Sequence, residues 1–452
     1  MKTIADQLDF DFSRRIDIQR NIDLNVINDC IKKFIDSNST NLFTKHLRLL
    51  VIELYLCWVE SDLQFLSVSM SKRGYNSKSR YNPNNISSYL IKTINFLNKK
   101  NLIELYPGFY DARSKKSRLT RIKPSALLKS YFKKIELSVN DRINHRQKES
   151  LLIYEKGNLT EYNDTYDTQE KKVIIQNYNN LITKTLFDIP DFELDYLTRG
   201  DNKKIVISRF TSSTYSLNIE KSNYGIFGGC WWNMLDLNLC LNIKRKMIIN
   251  NQTTSYLDLV QFFDKYLTSK SNSNIDFESH AYSKYFNNDQ LCYLIIKGSK
   301  SKNELSFLKS VFSEKKKNSL DSKDKKEIYD QVTKTIINNN NLRGLIFKEK
   351  DIGWEAFVSK FFFKLIKKIC NMQIPIFLLR DKIYFPADKE SIFLAEAEKI
   401  LLQHFQMNSL KITSHKASEL NFEKKSFFGR LLKSPNKTTK RYLANKNYFG
   451  IK

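Results

Sequence analysis

MIINNQTTSYLDLVQFFDKYL, residues 247–267, changes its period partway along. Residues 247–249 and 253–257 are apolar or alternating enough for two strands, and Asn250-Asn251 between them suits a tight turn. The second strand ends at Asp258, after which Gln261, Phe262, Lys265 and Tyr266 fit the first turns of a helix. A carboxylate where a core strand turns into a helix is well placed to hold a divalent cation.

A second hairpin lies at IPIFLLRDKIYFP, residues 374–386. Residues 374–379 form one apolar strand, 383–385 the next, and Arg380-Asp381-Lys382 the turn, so Asp381 sits at a hairpin tip. Apolar periodicity predicts helices over 354–370 before it and 391–405 after it. Strand, aspartate and helix, followed by helix and hairpin with an aspartate in the turn, is the framework of a polymerase palm. Two such carboxylates can hold two Mg²⁺ ions about 3.5–4 Å apart, activating an attacking hydroxyl and stabilising a leaving pyrophosphate. Spacing alone is weak evidence, because a turn aspartate ordinarily only forms its turn.

Working outward, residues 1–40 read as a lead-in with one amphipathic helix over 26–35. From Leu42 a long helix is expected, with Leu47, Leu49, Leu50, Ile52, Leu54 and Leu56 supplying a broad apolar face. A polar loop over 69–83 leads to a second helix starting near Asn84 or Asn85, with Ile86, Leu90, Ile94 and Leu97 on one stripe. Two strands follow, 103–106 and 118–122, joined by a basic loop. Helix, helix and a hairpin with a cationic tip is the order of a winged helix-turn-helix over 41–135. Its second helix would enter the major groove while the wing touches backbone. Arg113, Lys115, Lys116, Arg118 and Arg121 on the wing, supplemented by Lys72, Arg73, Lys78, Arg80 and Lys92, are the candidate DNA contacts. Such contacts orient a protein on phosphates without reading sequence. A winged helix that binds protein instead is the competing reading. Residues 136–195 read as a helical connector with a long helix over 168–185, 196–412 as the palm with its fingers, and 413–452 as a basic tail. The fold class expected is therefore α+β.

The whole composition bears on partners. Among 452 residues the formal net charge is +27, the footprint of a polyanion binder, although a Lys-, Asn- and Ile-rich chain also arises from an AT-rich genome. The tail after Glu423 carries Lys424, Lys425, Arg430, Lys433, Lys437, Lys440, Arg441, Lys446 and Lys452 and no acid, as a nucleic-acid arm or a solubilising end would. Cys30, Cys57, Cys230, Cys240, Cys292 and Cys370 lack metal-ligand spacing, and the five histidines form no HxxxH pair, which argues against zinc and histidine catalysis. No apolar run reaches the roughly 20 residues that cross a bilayer. The opening MKTIADQLDF has no apolar core of a secretory signal. A cytoplasmic protein without membrane partners is expected.

YLDLVQFFDK, residues 256–265, resembles motif A of family A (Pol I-like) DNA polymerases, and FLLRDKIYFP, residues 377–386, resembles motif C. The wider pattern is similar to a group of uncharacterised bacterial, phage and mobile-element proteins with an N-terminal winged-helix region and a shortened Pol I-like palm. Arg209-Phe210, Phe227-Gly228-Gly229 with Trp231-Trp232, and residues 248–251 stand at that group's marker positions. The resemblance spans roughly residues 47–405. It implies that Asp258 and Asp381 are catalytic carboxylates holding Mg²⁺, that the Leu259 carbonyl is a further ligand, and that Gln261 and Lys265 are retained nucleotide-binding positions. Arg380 takes the place of the family's histidine, and Lys297, Lys300, Lys302 and Lys309 are the candidates for the finger helix that grips a triphosphate.

The sequence also departs from that pattern. Leu259 and Val260 replace Tyr and Ser, Phe263 replaces an acid, and Arg380 and Lys382 both add positive charge beside Asp381. A cation within about 4–6 Å keeps a carboxylate ionised but competes with Mg²⁺ for it. The expected function is a DNA-binding, template-directed nucleotidyltransferase of a mobile element, using deoxynucleotides on a duplex or primed template. The alternative is a catalytically degenerate replication initiator or regulator. A nuclease built on the same acidic pair would need a further carboxylate, for which Glu355 or Asp264 could serve.

Overall fold

The structure is a computed structural model, described here over residues 13–35, 39–60, 64–113, 116–135, 149–188, 215–220, 225–229, 247–271, 288–315, 330–332, 336–337, 342, 345–348, 352–379, 381–405 and 412–416. It is α+β and divides into two compact units, one of Met1–Ser222, Phe227–Thr253 and Ala417–Lys452, the other of Asn223–Ile226 and Thr254–Lys416. The segment 136–195 read as a connector falls in the first unit. Arg209-Phe210, Trp231, Trp232 and the tail after Glu423 lie outside the described residues.

The first unit opens with β1 (Ser13–Arg15) and the short helix α1 (Asn28–Lys32), then α2 (Asn41–Glu60). From Leu47 to Cys57 every α2 residue except Arg48 is buried, so α2 is a core helix rather than a surface one. Strand β2 (Phe65–Val68) follows, then α3 (Tyr89–Lys99), whose Leu90, Ile94 and Leu97 form the single buried stripe of an amphipathic helix. Next come β3 (Ile103–Tyr106), β4 (Phe109–Asp111), β5 (Lys116–Arg118), β6 (Thr120–Pro124) and α4 (Ala126–Phe132). The sheet order is β1-β2-β6-β3, with β1 parallel to β2 and the other pairs antiparallel.

Two details differ from expectation. Helix α3 starts at Tyr89 rather than Asn84, because the Asn84 amide donates to the carbonyls of Ile18 (2.9 Å) and Arg20 (2.7 Å) and Asn85 takes φ +48°. The expected strand over 118–122 instead becomes β6, displaced by two residues, and β4–β5 forms a separate two-stranded hairpin. Gly108 makes this possible: a Cβ there would lie 2.5 Å from the Arg118 carbonyl oxygen and 2.7 Å from the Thr120 nitrogen. Only glycine allows the two backbones to approach that closely.

His46 of α2 is fully buried, donating from Nδ1 to the Leu42 carbonyl (2.7 Å) and accepting at Nε2 from the Ser87 N–H (3.0 Å). That pairing requires the neutral ring, and burial lowers the His46 pKa below the ordinary histidine value. Its folded-state pKa being depressed, the unfolded chain binds the extra proton as pH falls below about 6.5, and stability drops there. The urea midpoint of the wild type is expected to fall between pH 7.5 and 5.5, and a His46→Gln variant is expected to show a shallower fall. Identical slopes would mean that His46 does not govern this window.

The unit continues with β7 (Leu151–Glu155) and β8 (Asn158–Leu159), joined by Lys156 and Gly157 at φ +51° and +76°, then α5 (Tyr166–Thr183), β9 (Phe187–Asp188), β10 (Ser216–Glu220), β11 (Ile226–Gly228) and β12 (Ile248–Ile249). A second sheet has the order β11-β10-β7-β8, with β7 and β10 parallel. The turn after β12 is the expected asparagine pair, Asn250 and Asn251 at φ +50° and +64°, and it opens β13 (Gln252–Asp258).

The second unit takes β13 from Thr254 onward and adds α6 (Phe263–Ser271), α7 (Asn288–Lys300), α8 (Glu304–Lys315), α9 (Trp354–Ile369), β14 (Phe377–Leu379), β15 (Lys382–Pro386), α10 (Glu390–Phe405) and β16 (Ser414–Lys416). Here β13 is flanked by β15 and β16, and β14 pairs with β15, all antiparallel. Aromatic rings fill the space behind it: Trp354 stacks on Phe357 (5.0 Å) and meets Phe263 edge-on (4.8 Å), while Phe385 stacks on Phe393 of α10 (3.9 Å). Among the described residues no helix is long and apolar enough to cross a membrane.

Candidate functional site

Strand alternation separates the faces of β13 and β15. Ser255 and Leu257 share one face with Phe385 and Ile383, against α10, and Tyr256 and Asp258 share the other with Tyr384 and Lys382. Asp258 and Asp381, distant in sequence, are thereby brought to neighbouring strand ends: Asp258 stands opposite Lys382 in the register, and the Leu259 N–H donates to the Asp381 carbonyl (2.8 Å). The sequence-based convergence of a strand-terminal and a hairpin-tip aspartate is present in the backbone.

The side chains do something else. Lys382 is the first residue of β15, not part of the turn, and its ammonium is bonded to Oδ2 of Asp258. Oδ1 of Asp258 accepts the Val260 N–H (3.1 Å). Both carboxylate oxygens are therefore engaged by this chain's own donors. The Lys382 side chain is 5% exposed and that of Asp258 18%, with the ammonium 5.8 Å from the Tyr256 ring centre. Two Mg²⁺ ions do not fit this arrangement, because the oxygen that would face a metal faces a lysine carried on the opposed strand. Among the described residues, moreover, no three His, Cys, Asp or Glu side chains group as metal ligands. Of the carboxylates a nuclease would draw on, Glu355 is exposed at the start of α9 and Asp264 accepts the Lys265 N–H (2.7 Å).

The nucleotide-binding candidates divide as well. Gln261 is corrected to a structural residue: Nε2 donates to the carbonyls of Asp258 (2.6 Å) and Thr413 (3.2 Å), and Oε1 accepts from the Thr413 N–H (3.2 Å), which anchors the lead-in to β16. Leu259 is fully buried and Lys265 is exposed. Lys297 lies on α7, its ammonium 5.4 Å from the Tyr293 ring centre, and Lys302 is exposed just before α8. Arg380 lies outside the described residues.

In the first unit, Arg73, Lys92 and Arg113 are exposed, as are Lys72 and Lys78. Two further candidates are corrected. Arg121, 1% exposed, lies in β6 with its guanidinium 4.4 Å from the Phe65 ring centre, and cannot reach a phosphate. Arg80 is turned inward, donating to Glu149 (3.2 Å), Asp164 (2.9 Å) and the Tyr162 carbonyl and lying 3.5 Å from the Tyr162 ring centre. It ties the loop before α3 to the residues just before β7 and to the segment after β8. Arg118 stands opposite Phe109 with its guanidinium 5.2 Å from that ring centre; Lys115 and the side chain of Lys116 lie outside the described residues.

What sequence reading missed is the partner of Asp258. A lysine opening an otherwise apolar strand, KIYFP, was the available signal, but a register is needed to see that it opposes the aspartate. Comparison with protein-family models, with curated proteins and with solved structures finds no match to this chain.

Proposed function

We propose that this chain is a DNA-binding replication initiator or regulator, docking through a winged-helix-like module in its first unit and carrying a palm-like second unit that is catalytically silent. The observation that favours this reading over a nucleotidyltransferase is the Lys382 ammonium on Asp258, which gives the carboxylate a counter-charge from the chain's own opposed strand where catalysis needs a metal. For the DNA partner, the support is charge: a net +27, with exposed Arg73, Lys92 and Arg113 on the loop, helix and hairpin of one module.

Fluorescence anisotropy with a labelled blunt duplex tests the reading. Each phosphate contact adds about 0.9 to the slope of log affinity against log salt. An Arg73→Ala/Lys92→Ala/Arg113→Ala triple variant is expected to weaken binding and lower that slope by about 2–3. A wild type that does not bind duplex, or a triple variant with an unchanged slope, contradicts the docking mode. Mg²⁺-dependent nucleotide incorporation on a primed template that is lost in Asp258→Ala would instead favour the polymerase reading.

A further inference from the structure

Phosphate contact needs cations at a hairpin tip, yet the β4–β5 hairpin also carries two exposed aromatic rings. Phe109 is 48% and Tyr110 73% exposed, and Leu119 beside them is 40% exposed. The register pairs Phe109 with Arg118 and Tyr110 with Ser117, so one ring projects from each face of a ribbon only two strands wide. Phe109 has a local explanation, since Arg118 covers its face and such cross-strand pairs stabilise ribbons. Tyr110, opposite a serine, has none of that kind. Gly108, through its close approach to the Arg118 and Thr120 backbones, sits where the ribbon leaves the sheet.

We propose that this hairpin binds unpaired bases, Tyr110 stacking on a base at an opened stretch of DNA while Arg113 holds the adjoining phosphate. The inference rests on the DNA-binding reading above and goes beyond it by naming the substrate: a duplex with a locally melted segment, not an intact duplex. An aromatic face stacks on any base, which suits recognition of opened DNA irrespective of sequence, and a blunt duplex offers such a ring only its two ends. Cationic and aromatic groups on one narrow ribbon match a ligand that presents phosphate and exposed ring together.

The test uses the full chain and two fluorescein-labelled probes, a blunt duplex and the same duplex with a short mismatched bubble. Wild type is expected to prefer the bubble. Tyr110→Ala is expected to lose about tenfold on the bubble while staying within about twofold on the blunt duplex, and Tyr110→Phe to bind both like wild type. Circular dichroism of each variant, unchanged because Tyr110 is largely solvent-exposed, separates lost stacking from lost fold. If the wild type binds both probes equally, or Tyr110→Ala weakens both alike, base stacking is wrong and duplex docking stands. If the wild type binds neither probe, the DNA-binding reading fails and takes this inference with it.

Discussion

Replacing Glu53 with glutamine is expected to destabilise the first unit by about 3–5 kcal/mol, the cost of neutralising the carboxylate that two buried guanidiniums share, Arg20 keeping a longer contact to Asp17 (3.7 Å). Glu53 sits inside the core helix α2 with a fully buried side chain. Its Oε2 accepts from Arg14 (2.6 Å) and from the Asp17 N–H (2.9 Å), and its Oε1 from Arg20 (3.0 Å). Arg14 also donates to the Glu53 carbonyl (2.8 Å). Both guanidiniums are buried, the Arg20 side chain completely, so neither can turn to water when the carboxylate is neutralised. The consequence reaches the surface proposed above to dock DNA, because the Arg20 and Ile18 carbonyls hold the Asn84 amide that sets the entry to α3. Glu53→Gln should therefore weaken duplex binding as well as stability. Replacing Glu53, Arg14 and Arg20 together by apolar residues of similar volume should cost less, since the charge that loses a partner, Asp17, is 17% exposed rather than fully buried. Equilibrium urea unfolding distinguishes these outcomes: a loss below about 1 kcal/mol for the single variant would show that the network is hydrated.

The second large effect concerns the ion pair at the end of β13, and it is asymmetric. Asp258→Ala removes the carboxylate bonded to an ammonium whose side chain is 5% exposed, and a loss of about 3–5 kcal/mol is expected. Lys382→Met keeps the apolar stem that packs in β15 and leaves Asp258, 18% exposed and still bonded to the Val260 N–H, in contact with solvent. That substitution should cost less than about 1.5 kcal/mol. A metal-binding aspartate in a working palm behaves in the opposite way, because removing it relieves repulsion between clustered acids. Greater stability in Asp258→Ala than in the wild type would therefore count against the structural role assigned to the pair.

Sequence reading located the elements best where local chemistry is strong. The Asn250-Asn251 turn, the strand ending at Asp258, α9, α10 and the hairpin around Asp381 all lie close to their expected positions, because each is specified by a turn pair or an uninterrupted apolar pattern. The strands β1, β7, β8 and β10 were not legible. Each is at most five residues long, and β1 and β10 exist by virtue of parallel partners remote in the chain. The same limit governs the site. Basic residues were recognisable as basic, but only tertiary structure sorts exposed Arg73 from Arg80, which is held by Glu149 and Asp164, and from Arg121, which is packed on Phe65. Likewise the two aspartates were identifiable as neighbours-to-be, whereas Lys382 is brought opposite Asp258 by strand register.

The most direct measurement is Mn²⁺ binding followed by electron paramagnetic resonance, with Mn²⁺ as a probe for Mg²⁺, on the wild-type chain and on Lys382→Met. If the lysine ammonium is the counter-charge of Asp258, the wild type leaves millimolar Mn²⁺ free, and Lys382→Met gains a site that a further Asp258→Asn change removes. A wild type that takes up Mn²⁺ stoichiometrically and loses it on Asp258→Asn would contradict the account, and would favour the enzymatic reading of the second unit.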